Sequence, residues 1–265
     1  MRRTMLVTGA ASGIGRAIAV HFARTGWFVG LADVNADGLT AVGREAGSAH
    51  IVLPFDVRDS DAWDRALAAF GAAAGRRLDV FVNNAGIAHS GRFEDIPLGD
   101  AIATIETNLA GAVRGVYACL PLLKATPGSQ LINMGSSSGL IGYPAMAVYS
   151  ATKAGLMALS EALSVELAEH DVHVTTIAPH FVDTPLLESP FHSSTPGGPS
   201  REDQLSLINR YGVGQIVDAV HRAVERKPAR VLVGADAAKI DWLRRYLPWL
   251  LRRMVRDRWQ KLMSM

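Results

Sequence analysis

The order of apolar segments in this chain predicts a doubly wound α/β fold: a parallel sheet of about seven strands with helices on both faces. Three observations carry that prediction. Short runs rich in β-branched residues alternate with longer amphipathic or alanine-rich segments along most of the chain, the pattern of a parallel sheet whose crossovers are helices. A glycine-rich turn stands between the first such run and the first helix. The polar motifs at Gly9, Asp33, Asp56, Asn83, Ser136 and Thr184 all fall at carboxyl ends of strands, where such sheets bind ligands.

At 265 residues, 49% hydrophobic and 20% charged, the chain can bury one large core. A net charge of +2 gives no reason to expect a nucleic-acid partner. Cys119 is the sole cysteine, so an intrachain disulfide and a cysteine metal cluster are excluded. Its apolar surroundings make it a buried, inert thiol. No metal-ligating set is recognised. The opening MRRTMLVTGA has too short an apolar run for a signal peptide, and no stretch of about eighteen apolar residues exists to span a membrane. A soluble, cytoplasmic protein is expected.

Met5 to Thr8 reads as a buried strand. Gly9-Ala10-Ala11-Ser12-Gly13-Ile14-Gly15 follows, then an amphipathic helix from Arg16. The glycines let the backbone approach a pyrophosphate, and the helix N-terminus offers it free N–H groups. Trp27 to Ala32 is a second strand, ending at Asp33. An acidic residue about twenty positions past the glycines can accept hydrogen bonds from the adenosine ribose hydroxyls and repels a 2′-phosphate. The alternative is that Asp33 caps the next helix. No basic residue stands at Ser12 or Val34, which favours NAD over NADP. Asn35 to Ala46 is predicted helical and Ala49 to Phe55 a third strand. Asp56-Val57 then offers an acceptor for an adenine amino group, or simply a turn. A helix over Asp61 to Ala74 and a strand over Leu78 to Val82 lead into Asn83-Asn84-Ala85-Gly86, small and polar enough to lie against a flat ligand.

Asp100 to Lys124 reads as one long helix with Asn108 among apolar neighbours, where an amide needs partners. Asn108 either ties strand to helix or holds a water on a proton path. Leu131 to Met134 leads into the Ser136 loop, and Val148 to Glu169 is the helix bearing Tyr149 and Lys153. Four residues apart, those two share a helix face. An ammonium beside a phenol favours the phenolate and lowers the tyrosine's pKa from its usual ~10. A tyrosine so tuned exchanges a proton with an alcohol or ketone near neutral pH, while Ser136 orients the same substrate oxygen. Val174 to Ala178 is a sixth strand, ending in Pro179 to Thr184. Pro185 to Asp203, rich in Pro, Ser and Gly, reads as a mobile flap reaching to about residue 212, before a helix over Val213 to Glu225 and a last strand over Val231 to Val233.

Taken together, these residues resemble the short-chain dehydrogenase/reductase family in its compact, single-domain Rossmann-type form, over roughly residues 4 to 235. The resemblance implies an NAD(H)-dependent oxidoreductase. It makes Tyr149 the general acid/base, Ser136 the group that orients the substrate oxygen, and Asn108 the support of a water relay. Lys153 would hold the nicotinamide ribose and lower the tyrosine's pKa. Cofactor contacts are implied at Gly9, Ser12, Gly13, Ile14, Gly15, Asp33, Asp56, Val57, Asn83, Ala85, Gly86, Tyr149, Lys153, Pro179, Val182 and Thr184, the last two at the nicotinamide amide. The long helices from Asp100 and Val148 resemble those through which the family pairs, implying a homodimer or homotetramer. Two positions depart from the family pattern. Gly135 stands where a first serine is common. His180 stands where a glycine commonly follows the proline, and its side chain turns either to the substrate or to solvent.

The expected pocket walls are Leu140, Ile141, Tyr143, Met146, Phe181, Leu186 and Leu187, with no arginine or lysine among them. They suit an uncharged, hydrophobic secondary alcohol or ketone of steroid, retinoid or lipid-like type. Residues 239–265 form a tail beyond the catalytic region 1–238. Trp242, Leu243, Tyr246, Leu247, Trp249 and further apolar residues recur there at helical spacing, and Pro248 divides the helix. From Lys239 to Lys261 eight basic residues face two acidic ones, so this segment is +6 and the rest of the chain −4. Such a tail can lie in a membrane interface, pack on a sister subunit or cover the substrate cleft. Two other functions suit the fold: an epimerase or dehydratase, and a binding or scaffold protein at a membrane surface. The short glycine spacing and single compact domain argue against the first, and the intact Ser136, Tyr149 and Lys153 against the second.

Overall fold

In chain order the strands are β1 (Thr4–Thr8), β2 (Phe28–Asp33), β3 (His50–Pro54), β4 (Val80–Asn83), β5 (Ser90–Gly91), β6 (Gln130–Met134), β7 (His173–Pro179), β8 (Phe191–His192) and β9 (Arg230–Val233). The computed structural model describes residues 2–193 and 200–264. Seven of these strands make one sheet in the order β3-β2-β1-β4-β6-β7-β9, and all neighbours run parallel. The order reverses between β1 and β4, so a crevice opens at the carboxyl ends there. β1, β4 and β6 are buried at every position. That is why they read as continuous apolar runs rather than alternating ones: helices cover both faces.

The helices are α1 (Gly13–Arg24), α2 (Ala36–Ala46), α3 (Ser60–Ala73), α4 (Leu98–Ile105), α5 (Gly111–Lys124), α6 (Ala147–Glu166), α7 (Arg201–Ser206), α8 (Val213–Arg226), α9 (Ala235–Tyr246) and α10 (Pro248–Met263). On one face Ile18 and Phe22 of α1, Leu39 of α2 and Ile216 of α8 pack on Val7, Val29 and Ile132. On the other, Trp63 and Phe70 of α3 and Val116, Cys119 and Leu123 of α5 pack on Leu6, Phe81 and Leu131. Cys119 is fully buried as expected, and burial raises its thiol well above the ordinary range.

The courses of the long helix, the flap and the tail all bear on the site. The helix expected over Asp100 to Lys124 is interrupted: α4 and α5 are joined by a π-turn, Glu106–Ala110, which contains Asn108. Such turns add one residue to the ladder and turn a side chain out of its ordinary place. The expected flap starts with a 3₁₀ turn at Pro185–Glu188 and with β8 pairing to β5. It resumes with α7, capped by a reciprocal Ser200–Asp203 box; positions 194–199 lie outside the described residues. The tail divides as expected at Pro248, which sits in the first turn of α10, with the break at Leu247. Its inner face covers the cleft side of the body: Ile240, Leu243 and Leu251 pack with Leu140, Met157 and Ala178. Trp242, Tyr246 and Trp249 face outward and are exposed. No helix among the described residues is long and apolar enough to cross a membrane.

Candidate active site

Tyr149 lies in the first turn of α6, Lys153 one turn on, and Ser136 just past β6; all three are buried. The Ser136 hydroxyl accepts from the Ser138 N–H at 3.1 Å and lies on the Tyr149 side of the cavity, where it favours the ionised phenol. Lys153 Nζ donates to the Met134 carbonyl at 2.9 Å and stands 5.6 Å from the centre of the Tyr149 ring. Burial pushes the Tyr149 phenol up to about 12, partly offset by the Ser136 hydroxyl. The same burial brings the Lys153 ammonium down to about 8. This corrects the expectation of a tyrosine tuned downward by its lysine. Both groups are desolvated together, and the ammonium's hydrogen bond is directed at the Met134 carbonyl rather than at the phenol, so the cost of burying a phenolate prevails.

Asn108 acts as the tie. Its Oδ1 accepts from the Ile87 N–H at 2.8 Å and its Nδ2 donates to the Ile87 carbonyl at 2.8 Å, with Thr152 Oγ1 at 3.4 Å. The π-turn therefore holds the loop after β4 against α6, beside Tyr149.

A groove of about 370 Å³ runs along the carboxyl ends of the strands, lined by Gly9, Ser12, Gly13, Ile14, Asp33, Asp56, Val57, Asn84, Ala85, Gly86 and Thr184. Gly9 and Gly13 hold positive φ, 68° and 51°, which keeps their side of the groove bare of side chains. The Asp33 carboxylate accepts from the N–H groups of Ala11 and Asn35, each at 3.0 Å. It does not cap α2; Asn35 does, accepting from the Gly38 N–H at 2.9 Å. Asp56 is gripped by Arg58, whose guanidinium holds the carboxyl below the usual carboxylate range. Arg58 also lines the groove and escaped the sequence reading.

Two expected cofactor residues lie elsewhere. The Asn83 side chain is buried in the sheet, donating to the Ala112 carbonyl at 3.0 Å and to Asn133 Oδ1 at 3.1 Å. Its neighbour Asn84 takes the groove position, because successive strand residues point to opposite faces. Asn84 Nδ2 donates to the Thr8 carbonyl at 2.9 Å, bracing the glycine turn. Gly15 does not line the groove. A Cβ there would overlap the Gly9 carbonyl, so its role is to let α1 pass close to the turn.

The groove adjoins a candidate catalytic cavity of about 90 Å³, where Ser136, Tyr149 and Lys153 meet Pro179, Val182, Leu186 and Leu187. Beyond it lies a third cavity of about 320 Å³ beneath the tail, walled by Ile141, Tyr143, Leu243, Leu251, Trp259 and others. Met146, His180 and Phe181 line both. His180 thus faces inward, not to solvent, and burial lowers its pKa. Its Nδ1 lies 2.9 Å from Ser137 Oγ. Its Nε2 lies 4.0 Å from Asp236, a carboxylate that accepts from Asn209 at 3.0 Å and Tyr211 at 3.1 Å. The expectation of walls without cations is corrected as well: the tail and α9 bring Arg258 and Lys239 into the outer cavity. Leu140 packs behind the cavities, within the cluster under the tail.

The family model described as short chain dehydrogenase matches residues 3–194. The chain belongs to that family. The trans-4-hydroxycyclohexanecarboxylate dehydrogenase of Sinomonas cyclohexanicum is 35% identical over 198 residues, 69% of this chain and 74% of that protein. An uncharacterised short-chain type dehydrogenase/reductase of Sinorhizobium fredii is 34% identical over 242 residues, 90% of this chain. The chain spans only 41% of that relative's length. A crystal structure of a short-chain dehydrogenase from Streptomyces avermitilis superposes with a TM-score of 0.81 at 29% identity, covering 98% of this chain and 97% of that one.

Proposed function

We propose that this chain is an NAD(H)-dependent oxidoreductase that interconverts a hydrophobic secondary alcohol and its ketone, with Tyr149 as general acid/base. One observation carries the reading. Ser136, Tyr149 and Lys153 share a buried cavity that adjoins a long groove on one side and, across a wall containing His180, a mainly apolar chamber on the other. The groove suits a dinucleotide: bare glycine backbone and a helix N-terminus at its middle, a fixed carboxylate at Asp33, and Thr184 where it meets the catalytic cavity.

A nicotinamide, when bound, supplies the carbon that takes or gives the hydride. The chain's own residues handle position and the proton. The Ser136 hydroxyl holds the substrate oxygen. Tyr149 gives its proton to that oxygen when a ketone is reduced and takes it when an alcohol is oxidised. Lys153, held by the Met134 carbonyl, keeps a positive charge beside the phenol and lies within the wall of the cavity that a nicotinamide ribose would enter.

Asp33 supports NAD over NADP, since its carboxylate would repel a 2′-phosphate, and the nearby Arg58 is already neutralised by Asp56. The relative named for trans-4-hydroxycyclohexanecarboxylate suggests a cyclic secondary alcohol as the substrate class. The chamber accepts an apolar ring or chain, and Arg258 and Lys239 in its wall would also tolerate an anionic end. Outside the site, Tyr117 of α5 and Val165 of α6, each 77% exposed, favour self-association through these two helices as a homodimer or homotetramer.

The test is nicotinamide reduction across a panel of cyclic and long-chain secondary alcohols, each with NAD and with NADP, beside Tyr149→Phe. Turnover with NAD that vanishes in the variant is expected. Undiminished turnover in Tyr149→Phe would overturn the mechanism. Fast turnover of small acyclic hydroxy acids, with no turnover of any cyclic or long-chain secondary alcohol, would overturn the substrate class.

A further inference from the structure

We propose that His89, Asp100 and His192 form a divalent transition-metal site of the zinc class, which pins the start of the flap to the body of the fold. His89 lies in the loop between β4 and β5, Asp100 in the first turn of α4, and His192 at the end of β8. The pairing of β5 with β8 brings the two histidines together beside the start of α4, which is why no sequence spacing reveals the group.

The spacing of the three ligand atoms is the argument. His89 Nδ1 lies 3.3 Å from His192 Nε2 and 3.6 Å from Asp100 Oδ2, and His192 Nε2 lies 3.5 Å from that same Oδ2. Three atoms so spaced lie on a circle of radius roughly 2.0 Å, the length of a zinc–nitrogen or zinc–carboxylate bond. A single ion near the centre reaches all three at once and keeps a fourth position open. As a purely hydrogen-bonded cluster the same arrangement is slack. The imidazole contact is longer than the usual ~2.9 Å, and both carboxylate contacts are at or beyond the limit of a hydrogen bond.

The chemistry of the donors agrees. Two imidazoles and a carboxylate suit zinc and its neighbours better than calcium or magnesium, which prefer all-oxygen sites. Among the described residues no other group of His, Cys, Asp or Glu atoms converges in this way. The contrast with His21 and His221 is instructive. Those rings also meet, at 3.1 Å, but Glu225 approaches the other nitrogen of His221, so the three share no centre.

The surroundings show a built crossing. β5 and β8 pair through only Ser90 with Phe191 and Gly91 with His192, a short ladder to hold a flap. The Ser90 N–H adds one bond, to the Pro190 carbonyl at 3.1 Å. Gly91 sits at φ 142°, and a Cβ there would overlap the His192 carbonyl, so the backbone approach that delivers His192 requires a glycine. On the flap side, Leu186 and Leu187 wall the catalytic cavity a few residues before His192; on the body side Ala88 does so next to His89. An ion here would couple metal occupancy to the closure of that cavity without touching the reacting atoms.

The experiment uses the untagged full chain with NADH present. Zinc uptake is followed by calorimetry, and Co²⁺ is titrated in parallel for its visible absorption, in wild type, His192→Ala, His89→Ala and Asp100→Asn. One ion per chain is expected, with intense Co²⁺ bands of low coordination number in the wild type. Each variant should weaken binding by more than about tenfold, a scale that even residues behind a ligand can reach, while keeping the wild-type melting curve in chelator. Zinc should raise the melting temperature of the wild type only. Equal uptake by wild type and His192→Ala would place the ion elsewhere and overturn the proposal. So would the absence of Zn²⁺ uptake and Co²⁺ absorption in the wild type, which requires no variant to fold.

Discussion

The Ser137 hydroxyl and His180 Nδ1, 2.9 Å apart, close the wall between the catalytic cavity and the chamber under the tail. The bond joins the loop after β6 to the end of β7, and the imidazole occupies space that a glycine at this position would leave open. On the proposed function, His180 would set how much of the chamber a substrate at Tyr149 can use.

His180→Gly should join the two cavities. Removing the ring leaves the buried Ser137 hydroxyl short of a partner, at a cost of about 1–3 kcal/mol, seen as a lower melting temperature. KM for bulky secondary alcohols should fall relative to small ones, while kcat on small alcohols stays within about tenfold, since Tyr149 is untouched. Kinetics on a matched small and bulky pair check this. An unchanged KM ratio would show that the ring does not divide the space.

Burial of Lys153 carries a stability penalty. Its pKa in the fold, about 8, lies below the ordinary 10.5, so between those values the unfolded chain binds more protons than the folded one. Stability from this group therefore rises with pH across that window and is lowest below about 8. Tyr149 has the opposite sign. Raised from 10.0 to about 12, it makes the folded chain the better proton binder there, and stability falls across that range. Lys153→Met should abolish turnover yet stabilise the chain at pH 7 by up to roughly 3 kcal/mol, with the gain shrinking toward pH 10. Denaturant melts of both proteins over this range would expose a wrong sign at once.

Asn108→Leu removes both hydrogen bonds to Ile87. With the backbone N–H and carbonyl of a partly buried residue left unpaired, a loss of about 2–5 kcal/mol is expected. The loop after β4 should loosen beside Tyr149, so kcat should fall together with stability. Amide exchange at Ile87 gives the direct readout; protection equal to wild type would remove the tie from the account.

The parallel sheet was legible because its strands are buried on both faces and so appear as unbroken apolar runs. The site was legible because its residues cluster at one end of those strands. What stayed hidden depends on partners far along the chain or on a single step of phase. The adjacent asparagines Asn83 and Asn84 are equivalent as letters, and only the pleat of β4 sends one into the sheet and the other into the groove. The π-turn at Asn108 has no periodic signature. β5 and β8 are too short to show a pattern, so the meeting of His89 with His192 was invisible. The apolar stripe of the tail was plain, but a stripe does not name what it covers. The tyrosine's pKa was misjudged because reading the lysine as a nearby charge leaves out the desolvation that both groups share.

Asp33→Ala should separate cofactor identity from catalysis. The Ala11 and Asn35 N–H groups lose their acceptor, and the carboxylate that faces the groove is gone. KM for NAD should rise by about tenfold, which is 1.4 kcal/mol, while KM for NADP changes little or falls as repulsion is removed. kcat with saturating NAD should be preserved. A parallel rise for both cofactors would indicate that Asp33 only braces the glycine turn.

The two sides of the tail should separate in the same way. Trp259 faces the chamber, with Arg92 6.0 Å over its ring, and α9 is anchored by Arg244 donating to the Leu140 carbonyl at 3.0 Å. Trp242 and Trp249 instead face outward, 53% and 63% exposed, on a segment of strongly positive charge. Trp259→Ala should raise KM for bulky apolar alcohols by about tenfold and leave vesicle binding unchanged. Trp242→Ala with Trp249→Ala should leave KM unchanged and reduce sedimentation with anionic vesicles, because interfacial aromatics and basic residues act together there. If the wild type does not sediment with such vesicles at any low salt concentration, the outward tryptophans serve some other contact and the membrane role of the tail is lost. If Trp259→Ala leaves every KM unchanged, the chamber is not part of the substrate's path.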